Sequence, residues 1–173
     1  MTAIFLTGAP GVGKTTLIQR FLRDSGLSAD GFQTYWEKDE KGAETGLWLA
    51  PFGADPATGP RRLLARICED PTQVMPNITD IFDLYGAGLL DRSGERDLIV
   101  MDELGKFESA APDFQQAVLR RLDGPVPVLG VVRDMQTDFL DTVRAQVKVI
   151  RVDQTNRDTV LAQLLQQTWT PGR

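Results

Sequence analysis

The stretch "AIFLTGAPGVGKTTL", Ala3 to Leu17, limits what this chain can fold into more than any other part of it. A short apolar run with the character of a buried strand passes directly into three glycines, a proline and a lysine. From Gly8 to Thr15 the residues fit GxxxxGK[ST], a pattern that ordinary residue usage yields by chance in roughly one chain in a hundred. Gly8, Gly11 and Gly13 allow positive φ and close backbone approach, so that successive N–H groups can converge on an anion. A helix starting near Lys14 brings its positive N-terminal end to the same point. The spacing then places Gly8, Ala9, Pro10, Gly11, Val12 and Gly13 around phosphates, Lys14 on the β- and γ-phosphates, and the Thr15 hydroxyl in a Mg²⁺ shell. Thr16 takes at most an accessory part. The alternative is a plain glycine-rich turn before a helix; the strand on one side and the helix on the other favour nucleotide binding.

Three further β-rich runs, 98–101, 126–132 and 147–152, alternate with helical patterns at 14–23, 78–90, 113–122, 139–146 and 157–167. That alternation predicts an α/β fold: a doubly wound, mostly parallel sheet with helices on both faces. Between 31 and 76 the pattern changes. "GFQTYWEKDEKGAETGLWLAPF" alternates on both sides of "DEKG", which predicts a hairpin with Trp36 and Trp48 on its arms. "RRLLARICE" then reads as a short basic helix, with Arg62 and Arg66 on one face and Cys68 half buried. At 173 residues, with no repeat or long linker, the chain reads as one domain, 1–173, in which 31–76 is a hairpin and lid-like insertion.

A net charge of −5 argues against general binding to nucleic acid or anionic membrane. One cysteine and no apolar run of membrane-spanning length favour a reduced, cytoplasmic setting; the N-terminus reads as a strand rather than a signal peptide. A monomer is favoured. The chain contains no histidine, so proton chemistry falls to carboxylates or water.

"DLIVMDELGKFE", 97–108, places two adjacent carboxylates at the carboxyl end of a buried strand, the edge where open α/β sheets bind ligands. Asp102 suits Mg²⁺, directly or through water, and Glu103 stands where a carboxylate could orient or deprotonate an attacking water. Read alone, the pair could also be two solvated acids.

Taken in order, "TGAPGVGKTTL", "GFQTYWE", "ETGLWL", "LIVMDELGKFE" and "VDQTNRDTV" resemble the small P-loop nucleoside-triphosphatases that include the vertebrate cancer-related nucleoside-triphosphatase. The resemblance covers most of the chain, and "DELGKFE" and the late "NRD" are its more particular landmarks. It implies a P-loop domain that hydrolyses several nucleoside triphosphates, ATP and GTP among them, slowly, with Mg²⁺ and loose base preference. It puts Lys14 and Thr15 on phosphates and metal, Asp102 on metal and Glu103 on water. The chain departs from that pattern at Arg133, where a histidine often follows the strand, and around "PRRLLARICE".

Several residues keep two readings. Arg133 either faces the γ-phosphate and stabilises developing charge in cis, or pairs at the surface with Asp134. Asn156 and Arg157 either reach the nucleotide base, Arg157 by stacking, or simply open the last helix with Thr155 or Asn156 as N-cap. Arg61, Arg62 and Arg66 either form a mobile lid or belong to a solvated helix packed through Leu63, Leu64 and Ile67. Glu108 matches the family pattern without a mechanistic role. Beside hydrolysis stand two alternatives: a P-loop kinase that transfers the γ-phosphate to a small acceptor, and a slow nucleotide-dependent switch.

Overall fold

A computed structural model describes residues 2–67 and 73–170. Its core is explained by the strand alternation. In β1 (Ala3–Thr7), Ile4 and Leu6 face one side and Phe5 the other; in β6 (Leu98–Leu104), Leu98 and Val100 oppose Ile99 and Met101; in β7 (Val128–Val132), Leu129 and Val131 oppose Val128 and Val132. A strand buried on both faces needs cover on both, and helices supply it. On the Ile4 face lie α1 (Lys14–Ser25) and α6 (Arg157–Leu165), with Trp169 packed on Phe21 at a centroid distance of 5.1 Å. On the Phe5 face lie α4 (Pro112–Asp123) and α5 (Asp138–Gln146). A continuous helical stretch joins them there: α2 (Ile78–Asp80), a π-helical turn Ile81–Gly86 and α3 (Ala87–Asp91).

Among the described residues eight strands form one sheet in the order β5-β4-β3-β2-β6-β7-β1-β8. The strands β2 (Ala29–Lys38), β6, β7, β1 and β8 (Lys148–Arg151) run parallel. Antiparallel pairing then extends the sheet through β3 (Glu44–Pro51), β4 (Arg62–Arg66) and β5 (Gln73–Val74). This is the P-loop α/β fold expected, with β7 between the strand that leads into the glycine loop and the strand that carries the two carboxylates. The hairpin is present too: Trp36 pairs with Leu47 and Trp48 with Tyr35.

One expectation is corrected. The segment read as a basic helix is a strand over Arg62–Arg66, paired with both β3 and β5. Its arginines are not on a helical lid: Arg61 stacks on Trp48 with 3.9 Å to the ring centroid and pairs with Glu37 at 2.8 Å, while Arg62 lies over Tyr85. The strand with the carboxylates runs three residues past the apolar run, to Leu104, and Asp102 and Glu103 stand toward its carboxyl end as expected. Cys68, read as half buried in that helix, lies outside the described residues.

Gly130 shows how closely β7 and β1 pack. A Cβ there would overlap the ring of Phe5, which is fully buried. Gly130→Ala is therefore expected to lower stability by about 1–3 kcal/mol through overpacking. A urea titration checks it; an unchanged midpoint would mean that the Phe5 ring moves freely.

Candidate active site

The loop between β1 and α1 takes its shape from glycine. Gly8 has φ +144° and sits against the backbone carbonyl of Val152, where a Cβ would collide with the carbonyl oxygen. Gly13 has φ +96° and forms the left-handed N-cap of α1. No side chain caps this helix, so its first N–H groups remain turned toward the loop. Lys14, itself buried, folds back over the loop: its Nζ donates to the carbonyls of Gly8 and Ala9, both at 3.0 Å. Ala9, Pro10, Gly11, Thr15 and Thr16 are exposed along the rim, whereas Val12 is buried against α1 and α6.

Across the sheet edge stands Asp102, only 2% exposed. The Thr15 hydroxyl stands beside it and favours its charged form, while among the described residues its Oδ2 is buried without a partner. Burial pushes the Asp102 carboxyl up to about 6, with the neighbouring Thr15 hydroxyl acting in the opposite direction. A buried carboxylate oxygen without a donor, next to a hydroxyl and the phosphate loop, fits a hard cation such as Mg²⁺. That ion commonly takes one or two protein oxygens and fills its remaining positions with water and phosphate oxygens. Among the described residues no cluster of three or more His, Cys, Asp or Glu offers an all-protein metal site.

Glu103 follows through a cis peptide, and its Oε1 accepts a hydrogen bond from Arg133 Nε at 2.6 Å. Arg133 emerges from the end of β7, and its backbone N–H is anchored on the carbonyl of Leu104 at 2.9 Å. Because β7 separates β1 from β6, Arg133 lies between the glycine loop and the carboxylates. Asp134, the alternative partner in the sequence, pairs with Arg151 at 2.7 Å instead.

Sequence reasoning missed Thr34 and gave Glu108 no role. The Thr34 hydroxyl, on β2, donates to the Asp102 carbonyl at 3.4 Å and accepts from the Glu103 N–H at 3.3 Å, which ties the two carboxylates to the neighbouring strand. Its position in the alternating hairpin arm is visible in the sequence, but its partner is not. Glu108 is 2% exposed and accepts the Gly105 N–H at 3.0 Å, closing the turn that follows β6. Burial pushes its carboxyl up to about 7, against the backbone N–H bonds from Glu108 itself and Gly105.

The folded state thus holds a proton on Glu108 between about 4.5 and about 7, where the unfolded chain does not, so this group's contribution to stability falls as pH rises through that window. Glu108→Gln, which can still accept the Gly105 N–H, is expected to be on the order of 2–3 kcal/mol more stable than wild type at pH 8 and about equal at pH 4.5. Urea titrations at the two pH values test this. A constant difference would show that ionisation of Glu108 is not the cause.

Asn156 is the N-cap residue of α6, but its side chain does not cap. Its Oδ1 accepts from the Asp153 N–H and its Nδ2 donates to the Arg151 carbonyl, both at 2.9 Å. Asn156 is thereby committed to holding its loop. Arg157 is the residue that approaches the phosphate loop: its Nη1 lies 3.5 Å from the position of a Cβ on Gly13.

A glycine loop on the first strand, a lysine and a threonine at the start of the next helix, and an aspartate on a nearby parallel strand define the P-loop NTPase class. Residues 3–165 match the family described as NTPase, and the chain belongs to that family. It is 30% identical to the nucleoside-triphosphatase THEP1 of Thermotoga petrophila, over 94% of this chain and 90% of that protein. It is 33% identical to the cancer-related nucleoside-triphosphatase homolog of Bos taurus, over 94% of each. The crystal structure of THEP1 from Aquifex aeolicus shares the fold, with a TM-score of 0.70 at 24% identity, over 96% of this chain and 100% of that one.

Proposed function

We propose that this protein hydrolyses nucleoside 5′-triphosphates, ATP and GTP among them, to the diphosphate and phosphate with Mg²⁺. The observation that carries the reading is the grouping at one sheet edge of Lys14, Thr15, the partnerless Asp102 oxygen and the Glu103–Arg133 pair. The loop N–H groups and Lys14 neutralise phosphate charge, and Lys14 exchanges its two loop carbonyls for β- and γ-oxygens when nucleotide enters. Thr15 and Asp102 would hold Mg²⁺, which would supply positive charge to offset that of the phosphates. Glu103 orients the attacking water and accepts its proton; Arg133, already ion-paired with Glu103, stabilises charge on the γ-phosphoryl oxygens. Arg157, exposed beside Gly13, offers a planar guanidinium to a base of any kind, which suits loose base preference. The single cysteine suits a reducing, cytoplasmic setting.

Phosphate release from a panel of ribo- and deoxyribonucleoside triphosphates tests the reading. Release from several bases is expected, abolished by EDTA and by Lys14→Ala. Wild-type release from Lys14→Ala would refute the assignment.

A further inference from the structure

Beside the phosphate loop is a second cavity of about 290 Å³, between the hairpin part of the sheet and the turn after β6. Trp36, Leu47, Leu64, Phe82 and Phe107 provide its apolar wall, and Val74, 39% exposed, stands among its lining residues. Its position matters as much as its lining. Glu103 and Arg133 line this cavity and also the pocket formed by Gly8, Pro10 and Lys14, so the ion pair is the partition between the two.

Hydrolysis does not call for such a space. One water occupies about 30 Å³ of liquid volume and seeks polar partners, whereas this cavity holds about ten times that; about half of its lining is polar or charged, with Thr15, Asp102, Glu103 and Arg133 shared with the site described above, and the rest is aromatic and aliphatic. Its size lies near the lower end of the roughly 300–1,000 Å³ typical of small-ligand pockets. That is room for one ring and its substituents, not for a second nucleotide. The apolar part of the wall suits a ring, whose faces lose little hydration against Leu47, Leu64 and Phe82, while Glu103, Lys106 and Arg133 leave polar partners for its substituents.

We propose that this cavity is an acceptor subsite for a small ring compound bearing a hydroxyl group, and that the protein transfers the γ-phosphoryl group to that hydroxyl. The inference rests on the nucleotide site assigned above. The ring lies against Trp36 and Phe107, and the hydroxyl points to Glu103, where water would otherwise stand. The hydroxyl oxygen forms a bond to the γ-phosphorus as the bond from that phosphorus to the β,γ-bridging oxygen breaks. The bond's electron pair leaves with the diphosphate, and the hydroxyl proton passes to the Glu103 carboxylate and then to water. The products are a phosphomonoester and a nucleoside diphosphate. Water attack on the same phosphorus proceeds when the subsite is empty.

The full-length protein, ATP and Mg²⁺ would be incubated separately with benzyl alcohol, 2-phenylethanol and 3-(hydroxymethyl)pyridine, with glycerol as the alcohol without a ring. Phosphorus NMR reads ester and inorganic phosphate in the same sample. At least one ring alcohol is expected to raise the ester-to-phosphate ratio tenfold or more over glycerol. Val74→Trp, which fills space at an exposed edge-strand position, is expected to remove that gain and leave phosphate release without alcohol unchanged. Ratios equal to glycerol for all three alcohols would overturn the proposal, as would ester formation undiminished in Val74→Trp. The samples without alcohol separate this inference from the one beneath it: phosphate release without ester refutes the acceptor subsite alone, and absence of both refutes the triphosphatase reading.

Discussion

Glu103→Gln is expected to keep nucleotide affinity and to lose turnover by about 10²–10⁴, the range for removal of a positioned general base. Gln can still accept the hydrogen bond that Arg133 Nε donates at 2.6 Å, so the geometry at the end of β7 is retained. What disappears is a charge that can take a proton. The Glu103 and Arg133 side chains are 24% and 42% exposed, so loss of a pair this accessible has little effect on folding. Affinity is expected to hold or to rise, because Arg133 no longer has a carboxylate to compete with the γ-phosphate. The result separates two roles for Glu103. If it acted only by fixing Arg133, Arg133→Ala would lower kcat as far as Glu103→Gln does, and the double variant would lose nothing further. If Glu103 itself handles the water, Glu103→Gln lowers kcat with KM unchanged, while Arg133→Ala lowers it by a smaller factor. Single-turnover kinetics with a separate nucleotide-binding measurement distinguish them. Wild-type turnover in Glu103→Gln would remove this residue from the chemistry.

The sequence exposed those parts of the site that depend on local spacing. Gly8, Gly13, Lys14 and Thr15 are fixed relative to one another by a single loop and helix start, and the four-residue apolar run before Asp102 marks its strand. Contacts between distant segments were beyond it. Arg133 and Glu103 are 30 positions apart, and Thr34 lies 69 from Glu103; their meeting depends on strand order, which puts β7 and β2 on either side of β6. "RRLLAR" misled for a different reason. Adjacent Leu63 and Leu64, with arginines four apart at Arg62 and Arg66, satisfy a helical period, and the segment becomes a strand because β3 and β5 offer backbone partners on both sides. Arg61 and Arg62 then lie against Trp48 and Tyr85, contacts that no helical face of that segment anticipates.

Asp102→Asn is expected to move stability and activity in opposite directions. The carboxyl is buried, one of its oxygens is without a partner among the described residues, and burial raises it from 3.8 to about 6. Its folded value therefore lies above its unfolded one, so its contribution to stability is greatest below about 3.8 and declines as pH rises through about 6. At pH 8 the charged form carries the full cost, on the order of 3 kcal/mol. Asn removes the charge and keeps an oxygen that can face the Thr15 hydroxyl, though its amide group asks for an acceptor of its own. A net gain of about 2 kcal/mol, roughly 4–8 °C in Tm for a chain of this size, is expected at pH 8 without metal or nucleotide. Turnover with Mg²⁺ is expected to fall by about 10²–10³, as when a preorganised electrostatic group is removed. Wild type should gain Tm when Mg²⁺ and ATP are added together, because ligands that bind only the folded state stabilise it; Asp102→Asn should lose most of that gain. Thermal melts at pH 5 and pH 8, with and without Mg²⁺–ATP, measure all of these effects. A variant less stable than wild type at pH 8 without ligand would show that the buried carboxylate is compensated by the fold itself. A stabilised variant that loses turnover and the response to Mg²⁺–ATP together would mean that the cost of burying Asp102 is tolerated for the cation it holds.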